Sequence, residues 1–172
     1  EDLAKYPRTP ERDQELALTA GATDVWFPTY EEIYPAEIKL IDAGSIGELY
    51  EGAARPGHFA GVLTVVQRLF DLVKPDRAYF GEKDFQQLFL IKKFNSGVEI
   101  VGLPTIRESD GLAMSSRNAR LSPEDRSAAT IIHRALKSGT LDLSSEPRFK
   151  KDYAVVIDEE TFEVAKSDTK QK

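Results

Sequence analysis

The sequence contains no cysteine, only two histidines and a single tryptophan. Without a thiol these residues offer no disulfide framework, no thiolate nucleophile and no zinc–thiolate site, which fits a reducing, cytoplasmic setting. Positive charge is not in surplus either. The 23 basic residues are outnumbered by 29 acidic ones, leaving a formal net charge of -6. General nucleic-acid binding needs a broad cationic surface to displace counterions, so nucleic acid is excluded as a partner, whereas a small anion needs only a local cluster. No apolar run reaches the roughly 18–20 residues of a membrane span, and no segment reads as a signal peptide, so no membrane partner is expected. The chain opens at Glu1 rather than at Met, and its true amino terminus is expected to lie out of view.

What is present is the balance of an ordinary folded protein, with 41% hydrophobic and 30% charged residues in a length of 172. That length suits one domain, or one domain and part of another. Thr9 as a cap and Pro10 at the first helical position predict a helix running through Leu16 and Leu18 to Gly21. Asp24 to Phe27 reads as a short strand ended by Pro28, and a second short strand is expected near Ile38 to Ile41. From Val62, the residues Val65, Val66, Leu69, Phe70 and Val73 recur at three- and four-residue steps, which places them on one helix face. Lys74-Pro75-Asp76 closes that helix, Arg77 to Phe80 reads as a buried strand, and a helix carrying Phe85, Leu88 and Ile91 follows. Asp84 and Gln87 stand in the relation of a capping box.

Val98 to Val101 is the next expected strand, and Thr105 to Asn118 a polar loop. Ser122-Pro123 opens a helix with Ala128, Ile131, Ile132 and Ala135 on its apolar face. The runs Tyr153 to Ile157 and Thr161 to Ala165 resemble strands of a second, smaller domain. Alternating strand and helix predicts an α/β fold with a parallel sheet covered by helices on both faces, in which ligands sit beyond the carboxyl ends of the strands.

Two clusters carry the chemistry. Gly81-Glu82-Lys83-Asp84 lies where a strand ends and a helix begins, so backbone N–H groups and the helix dipole favour a phosphate there. Lys83 adds a mobile point charge, and Asp84 suits a ribose hydroxyl or the orientation of Lys83. The same four residues also fit a solvated turn with a capping Asp. Met114-Ser115-Ser116-Arg117-Asn118, preceded by Arg107 and the Asp110-Gly111 turn, combines two hydroxyls, free amides and a guanidinium in a loop that could close over a triphosphate. An ordinary surface loop has the same composition. Arg55 and His58, just before the Val62 helix, could meet a carboxylate or phosphate; a packed or solvated imidazole is the plainer alternative. His133 reads as structural. Glu11, Asp13 and Glu15 are most simply helix first-turn carboxylates, with magnesium a weaker alternative for Asp13.

Four stretches, in order, resemble the pantothenate synthetase family: Glu1 to Thr9, Arg55-Pro56-Gly57-His58-Phe59-Ala60-Gly61-Val62, Phe80-Gly81-Glu82-Lys83-Asp84-Phe85-Gln86-Gln87, and Asp110-Gly111-Leu112-Ala113-Met114-Ser115-Ser116-Arg117-Asn118. The resemblance is close over about Glu1 to Arg126 and looser beyond. It implies a Rossmann-like nucleotidyltransferase domain over residues 1–106 and a smaller carboxyl-terminal α/β lid domain, incomplete, over 107–172, in a homodimer that uses magnesium and ATP. It also implies a ligase reaction. The carboxylate of pantoate attacks the α-phosphorus of ATP, pyrophosphate leaves, and β-alanine displaces AMP from the adenylate to give pantothenate. By motif, Gly81, Glu82, Lys83, Asp84, Ile106, Met114, Ser115, Ser116 and Arg117 would bind ATP. Lys83, Ser115, Ser116 and Arg117 would be catalytic, and Gln87 would bind pantoate.

Such chemistry builds charge on phosphoryl oxygens and needs no protein nucleophile, so the absence of cysteine is no obstacle. The resemblance also implies that a strand, a histidine-containing phosphate motif and a glutamine segment precede Glu1. The stretches Phe94 to Val98 and Lys137 to Lys151 are shorter than it implies, so the intact polypeptide is expected to exceed 19 kDa. Two other readings share these features: a nucleotidyltransferase of the same fold acting on another substrate, and a nucleotide-binding module without catalysis.

Overall fold

The computed structural model describes residues 6–95, 97–140 and 142–165. Helix α1 (Pro10–Thr19) starts as its sequence predicts, with Pro10 at the first turn, but Thr9 does not cap it. The Thr9 hydroxyl donates instead to Asp13 Oδ1 at 3.0 Å. Asp24 to Phe27 forms no strand. Trp26 and Phe27 are both exposed, so that segment lacks the buried face that makes an extended stretch into a sheet member. A one-turn helix α2 (Tyr30–Ile33) follows, closed by a capping box between Thr29 and Glu32.

The second expected strand, Ile38 to Ile41, is also absent, for a reason that can be located. The Ile41 amide donates to Thr64 Oγ1 at 2.9 Å, and that hydroxyl donates in turn to Ala60 O at 2.7 Å. A buried side chain thus supplies the partner that a neighbouring strand would have given. This stitch pins the segment to helix α4 (His58–Val73), the longest of the described helices. Helix α4 begins four residues before the apolar pattern, just after Gly57, whose φ of 78° is left-handed and suits glycine. Between them lie a 3₁₀ turn (Ser45–Glu48) and the short helix α3 (Glu51–Ala54). Their approach is close: a Cβ on Gly52 would lie 1.9 Å from Gly47 O, so only glycine lets α3 sit there.

Strand β1 (Arg77–Gly81), helix α5 (Phe85–Phe94) and strand β2 (Glu99–Leu103) form the strand–helix–strand unit expected from the sequence, β2 shifted by one residue at its start and two at its end. However, β1 is not the buried strand anticipated, because its residues alternate between exposed and half-buried and Tyr79 faces solvent. The strands pair in parallel with Arg77 opposite Glu99 and Gly81 opposite Leu103, and Arg77 Nε donates to Glu99 Oε2 at 2.6 Å. Helix α5 packs on both strands and on α4, burying Leu88, Leu90 and Ile91. Leu90 and Ile91 join Ala43, Phe59 and Leu63 in the core, with Phe80 and Ile100 of the strands against them. Phe59, Leu63, Leu90 and Ile91, the large buried side chains of this core, each contribute roughly 1.5–3 kcal/mol by leaving water.

The helix expected after Ser122 is two: α6 (Pro123–Ala128), capped by the Ser122 hydroxyl, and α7 (Thr130–Ser138). The break turns the buried face to Ala129, Ile131 and Ala135 and leaves Ile132 43% exposed. The two strands expected after Tyr153 reduce to one antiparallel bridge between Ile157 and Val164. The cause is the intervening turn. Asp158 Oδ1 accepts from the amides of Glu160 and Thr161 and from the Thr161 hydroxyl, and Phe162 adopts φ 64°, so Thr161 to Glu163 is spent on the turn. Phe162 is nevertheless buried, its ring centroid 4.9 Å from Phe89 and 6.0 Å from Tyr50. The short connections to Val98 and Lys151 fall partly outside the described residues, as does the Glu1 to Lys5 part of the first motif.

Candidate active site

At the carboxyl end of β1 the chain passes through a 3₁₀ turn, Glu82–Asp84, straight into α5. The capping box expected between Asp84 and Gln87 does not form, since the Asp84 side chain accepts no bond from the helix. Its carboxylate is taken by Lys83, whose Nζ lies 3.2 Å from Oδ1 and 3.4 Å from Oδ2. Two adjacent glutamines then divide their work. Gln86 Nε2 donates to the carbonyls of Ile46 and Leu49 at 2.8 and 2.9 Å, fixing the turn that carries α3. Gln87, left out of any cap, lines a cavity beside Lys83 and Asp84.

That cavity, of about 280 Å³, collects Arg55, His58, Lys83, Asp84, Gln87 and Arg117, together with Glu51 and Tyr153. Three cations converge here from a helix end, a strand end and a distant loop. Arg55 Nη1 donates to Glu51 Oε1 at 3.2 Å and lies 3.1 Å from His58 Nε2. The His58 pKa is lowered, first because the half-buried ring is removed from water and then by the Arg55 guanidinium. A second cavity of about 310 Å³ shares Lys83, Asp84 and Gln87 and adds Gly81, Ile106 and Met114. One is lined with charge and the other with apolar surface, as a ligand with an anionic part and a flat, less polar part requires.

Arg117 comes from the loop expected to close over a triphosphate, and that loop is well tied. Met114 N donates to Ile106 O, Asn118 Nδ2 donates to Ala113 O, and Arg126 pairs with Asp110. Arg126 and the Leu112 amide together hold the Asp110 carboxyl below its ordinary range. The His133 ring packs against the Gly111 turn, since a Cβ on Gly111 would lie 2.5 Å from His133 Cδ2. Ser115 Oγ accepts from the Arg117 amide, and Ser116 Oγ donates to the Tyr6 hydroxyl, with the Arg117 guanidinium 5.0 Å from the Tyr6 ring centroid. Neither serine lines the two cavities, and neither does Glu82, which faces a third cavity with Phe85, Tyr153 and Phe162.

The match to the pantoate-beta-alanine ligase family model extends over residues 1–172. The chain belongs to this family. A pantothenate synthetase of Moorella thermoacetica is 43% identical over 94% of this chain and 65% of its own length, and one of Thermus thermophilus is 45% identical over 94% and 67%. The chain therefore spans about two thirds of the length of these ligase-family relatives. The crystal structure of a pantothenate synthetase from Thermus thermophilus superposes with a TM-score of 0.87 at 44% identity, covering 96% of this chain and 68% of that one. The pantoate-beta-alanine ligase from Francisella tularensis, solved in complex with beta-gamma ATP and beta-alanine, superposes at 0.68 with 36% identity over 79% and 54%. The α/β fold with its parallel sheet is that of the family.

Glu51 and Tyr153 are among the wall residues of the charged cavity that sequence reasoning did not place in the site. Glu51 stands four residues before Arg55, a helical ion-pair spacing that could have drawn attention to it. Tyr153 had no such signal, because it meets the site only through the folding back of the chain.

Proposed function

We propose that the chain is the ligase its family relatives are named for: it activates the carboxylate of pantoate on ATP as an acyl adenylate and passes the acyl group to β-alanine, releasing AMP and pyrophosphate. The observation that carries this reading is the convergence of Lys83 and Arg117, from segments far apart in the chain, on one cavity with Gln87. Positioned cations and N–H donors are what an adenylation requires, since charge grows on the leaving pyrophosphate. Lys83, Ser115, Ser116 and Arg117 act on the phosphates. Gly81, Glu82 and Asp84 border the nucleotide, Ile106 and Met114 lie along the adenine, and Gln87 holds pantoate. Ser115 and Ser116 reach the phosphates only after the 105–121 loop shifts, which a bound triphosphate would reward.

Among the described residues no group of three or more His, Asp or Glu side chains could hold a metal, so they do not fit a dedicated magnesium cage, and Asp13 lines neither cavity. Magnesium belongs to this proposal as the counterion that ATP brings. The proposal also includes the division at residue 106, a lid over residues 107–172, a homodimer and a cytoplasmic setting. No helix among the described residues is long and apolar enough to cross a membrane.

Pantoate-dependent exchange of pyrophosphate into ATP by the full protein tests the reading. Exchange without pantoate would assign the fold to another nucleotidyltransferase, and nucleotide binding with no exchange would mark a module without catalysis.

A further inference from the structure

Amide formation requires that the incoming amine lose a proton before it attacks; the inference that follows rests on the function proposed above. A primary alkyl ammonium titrates near lysine, about 10.4, so near neutrality almost none of it has a free lone pair. A group in the site must take the proton. The charged wall residues sort by what they can accept. Arg55, Lys83 and Arg117 are cations with no acceptor. Glu51 and Asp84 are weakly basic carboxylates engaged by Arg55 and Lys83. His58 remains, a half-buried imidazole whose pKa is lowered by partial burial and by Arg55, with Arg117 acting in the same sense and Glu51 and Asp84 opposing.

The hydrogen bond identifies the nitrogen. A guanidinium can only donate, so the 3.1 Å contact from Arg55 Nη1 leaves a lone pair on His58 Nε2 and puts the proton on Nδ1. The same Nη1 serves Glu51 at 3.2 Å. Arg55 is therefore shared between two weak, solvent-facing partners. A carboxylate entering the cavity competes for it with bidentate geometry.

The geometry points to His58 Nε2 as the proton acceptor of the amide-forming step, uncovered when the carboxylate of an ω-amino acid draws Arg55 away from it. One ammonium proton passes to Nε2, and the freed nitrogen pair attacks the acyl carbon. The C–N bond forms and the acyl C–O bond to phosphate breaks, its electron pair leaving on AMP. The second N–H proton passes to water as the tetrahedral centre collapses, and the imidazolium returns its proton to water when Arg55 closes back. An amine that lacks the carboxylate leaves Nε2 blocked.

The test uses the full protein. Pyrophosphate exchange first establishes the adenylate, and its absence in the unaltered protein removes the proposed function itself. Transfer from pantoyl adenylate is then followed in single turnovers against pH, with β-alanine, with propylamine, and with hydroxylamine, whose nitrogen is unprotonated at neutral pH. The unaltered protein should reach a plateau with β-alanine above the imidazole pKa. His58→Gln should lower that transfer at neutral pH by about 10²–10⁴-fold. Its rate should then climb about tenfold per pH unit as free amine accumulates, while transfer to hydroxylamine changes far less. His58→Asn repeats the measurement beside thermal melting of both variants. Propylamine, which needs no variant, should show no plateau. Comparable losses toward β-alanine and hydroxylamine, a plateau that survives without the imidazole, or a plateau with propylamine would overturn the proposal and leave His58 as a brace for Arg55.

Discussion

Lys83 and Arg117 reach one cavity from two differently built parts of the molecule. Lys83 follows a paired strand and precedes a helix whose Leu90 and Ile91 are 1% exposed, so its backbone is fixed by the core itself. Arg117 rides on a 3₁₀ turn, Ser116–Arg120, in a loop with one buried apolar side chain, Leu112, and is held by side-chain bonds such as Arg126 to Asp110 and Asn118 to Ala113. The difference teaches where preorganisation comes from. A charge on the packed frame is aimed before the ligand arrives, whereas one on the tied loop can be re-aimed by breaking a few exposed bonds.

The comparison breaks most sharply at the frame. Leu90→Ala should cost about 2–5 kcal/mol of global stability, read by denaturant unfolding, and should weaken ATP and pantoate binding together because the whole strand end loosens. A variant that kept its stability while losing one ligand would show that the frame does not set the site.

Lys83→Ala should leave melting nearly unchanged, because the side chain is exposed and its ion pair with Asp84 is solvated. Its expected cost is about 10²–10³ in adenylation rate. Arg117→Ala should slow adenylation as well but spare transfer from ready-made adenylate, since pyrophosphate has already left. Single-turnover measurement of the two half-reactions separates these cases, and an equal loss in both would place Arg117 at the acyl group instead.

Gln87→Ala should weaken pantoate by about five- to tenfold, the worth of one or two hydrogen bonds, with ATP affinity kept. Calorimetric titration of each ligand decides it. The helix should not suffer, because the structure gives Gln87 no capping role.

The smallest effect is expected at the loop anchor. Asp110→Asn removes the charge that holds Arg126 and should speed amide exchange between residues 105 and 121 without lowering global stability much. The pH dependence has a definite sign. The folded carboxyl sits below its ordinary value of 3.8, so its contribution is complete above that value and is lost as pH falls through the lowered one. Exchange in the unaltered loop should therefore accelerate only in acid, and acceleration between neutrality and pH 5 would point to a different anchor.

Much of the frame was legible in the sequence. The apolar spacing from Val62 to Val73, the Pro75 stop and the Gly81 to Asp84 turn are local signals. The structure keeps all three, because an amphipathic helix and a strand end express periodicities of the chain itself. The strands expected at Asp24 to Phe27 and Ile38 to Ile41 show the limit. Whether an extended stretch becomes a strand depends on a partner, and Ile41 found Thr64 instead.

The sequence by itself determined the residue types that do the chemistry, their places at an element end or in a polar loop, and the family to which they point. Only the tertiary structure decided which of them share a wall. It joined Arg55 to His58 across the Pro56-Gly57 turn between α3 and α4, set Glu51 behind them by the contact of Gly47 with Gly52, and brought Tyr153 to the same cavity. It also took Asp84 from its cap and gave it to Lys83. Local propensity is fixed by neighbours along the chain, but the partner of a charge is fixed by whatever packing brings within about 4 Å of it.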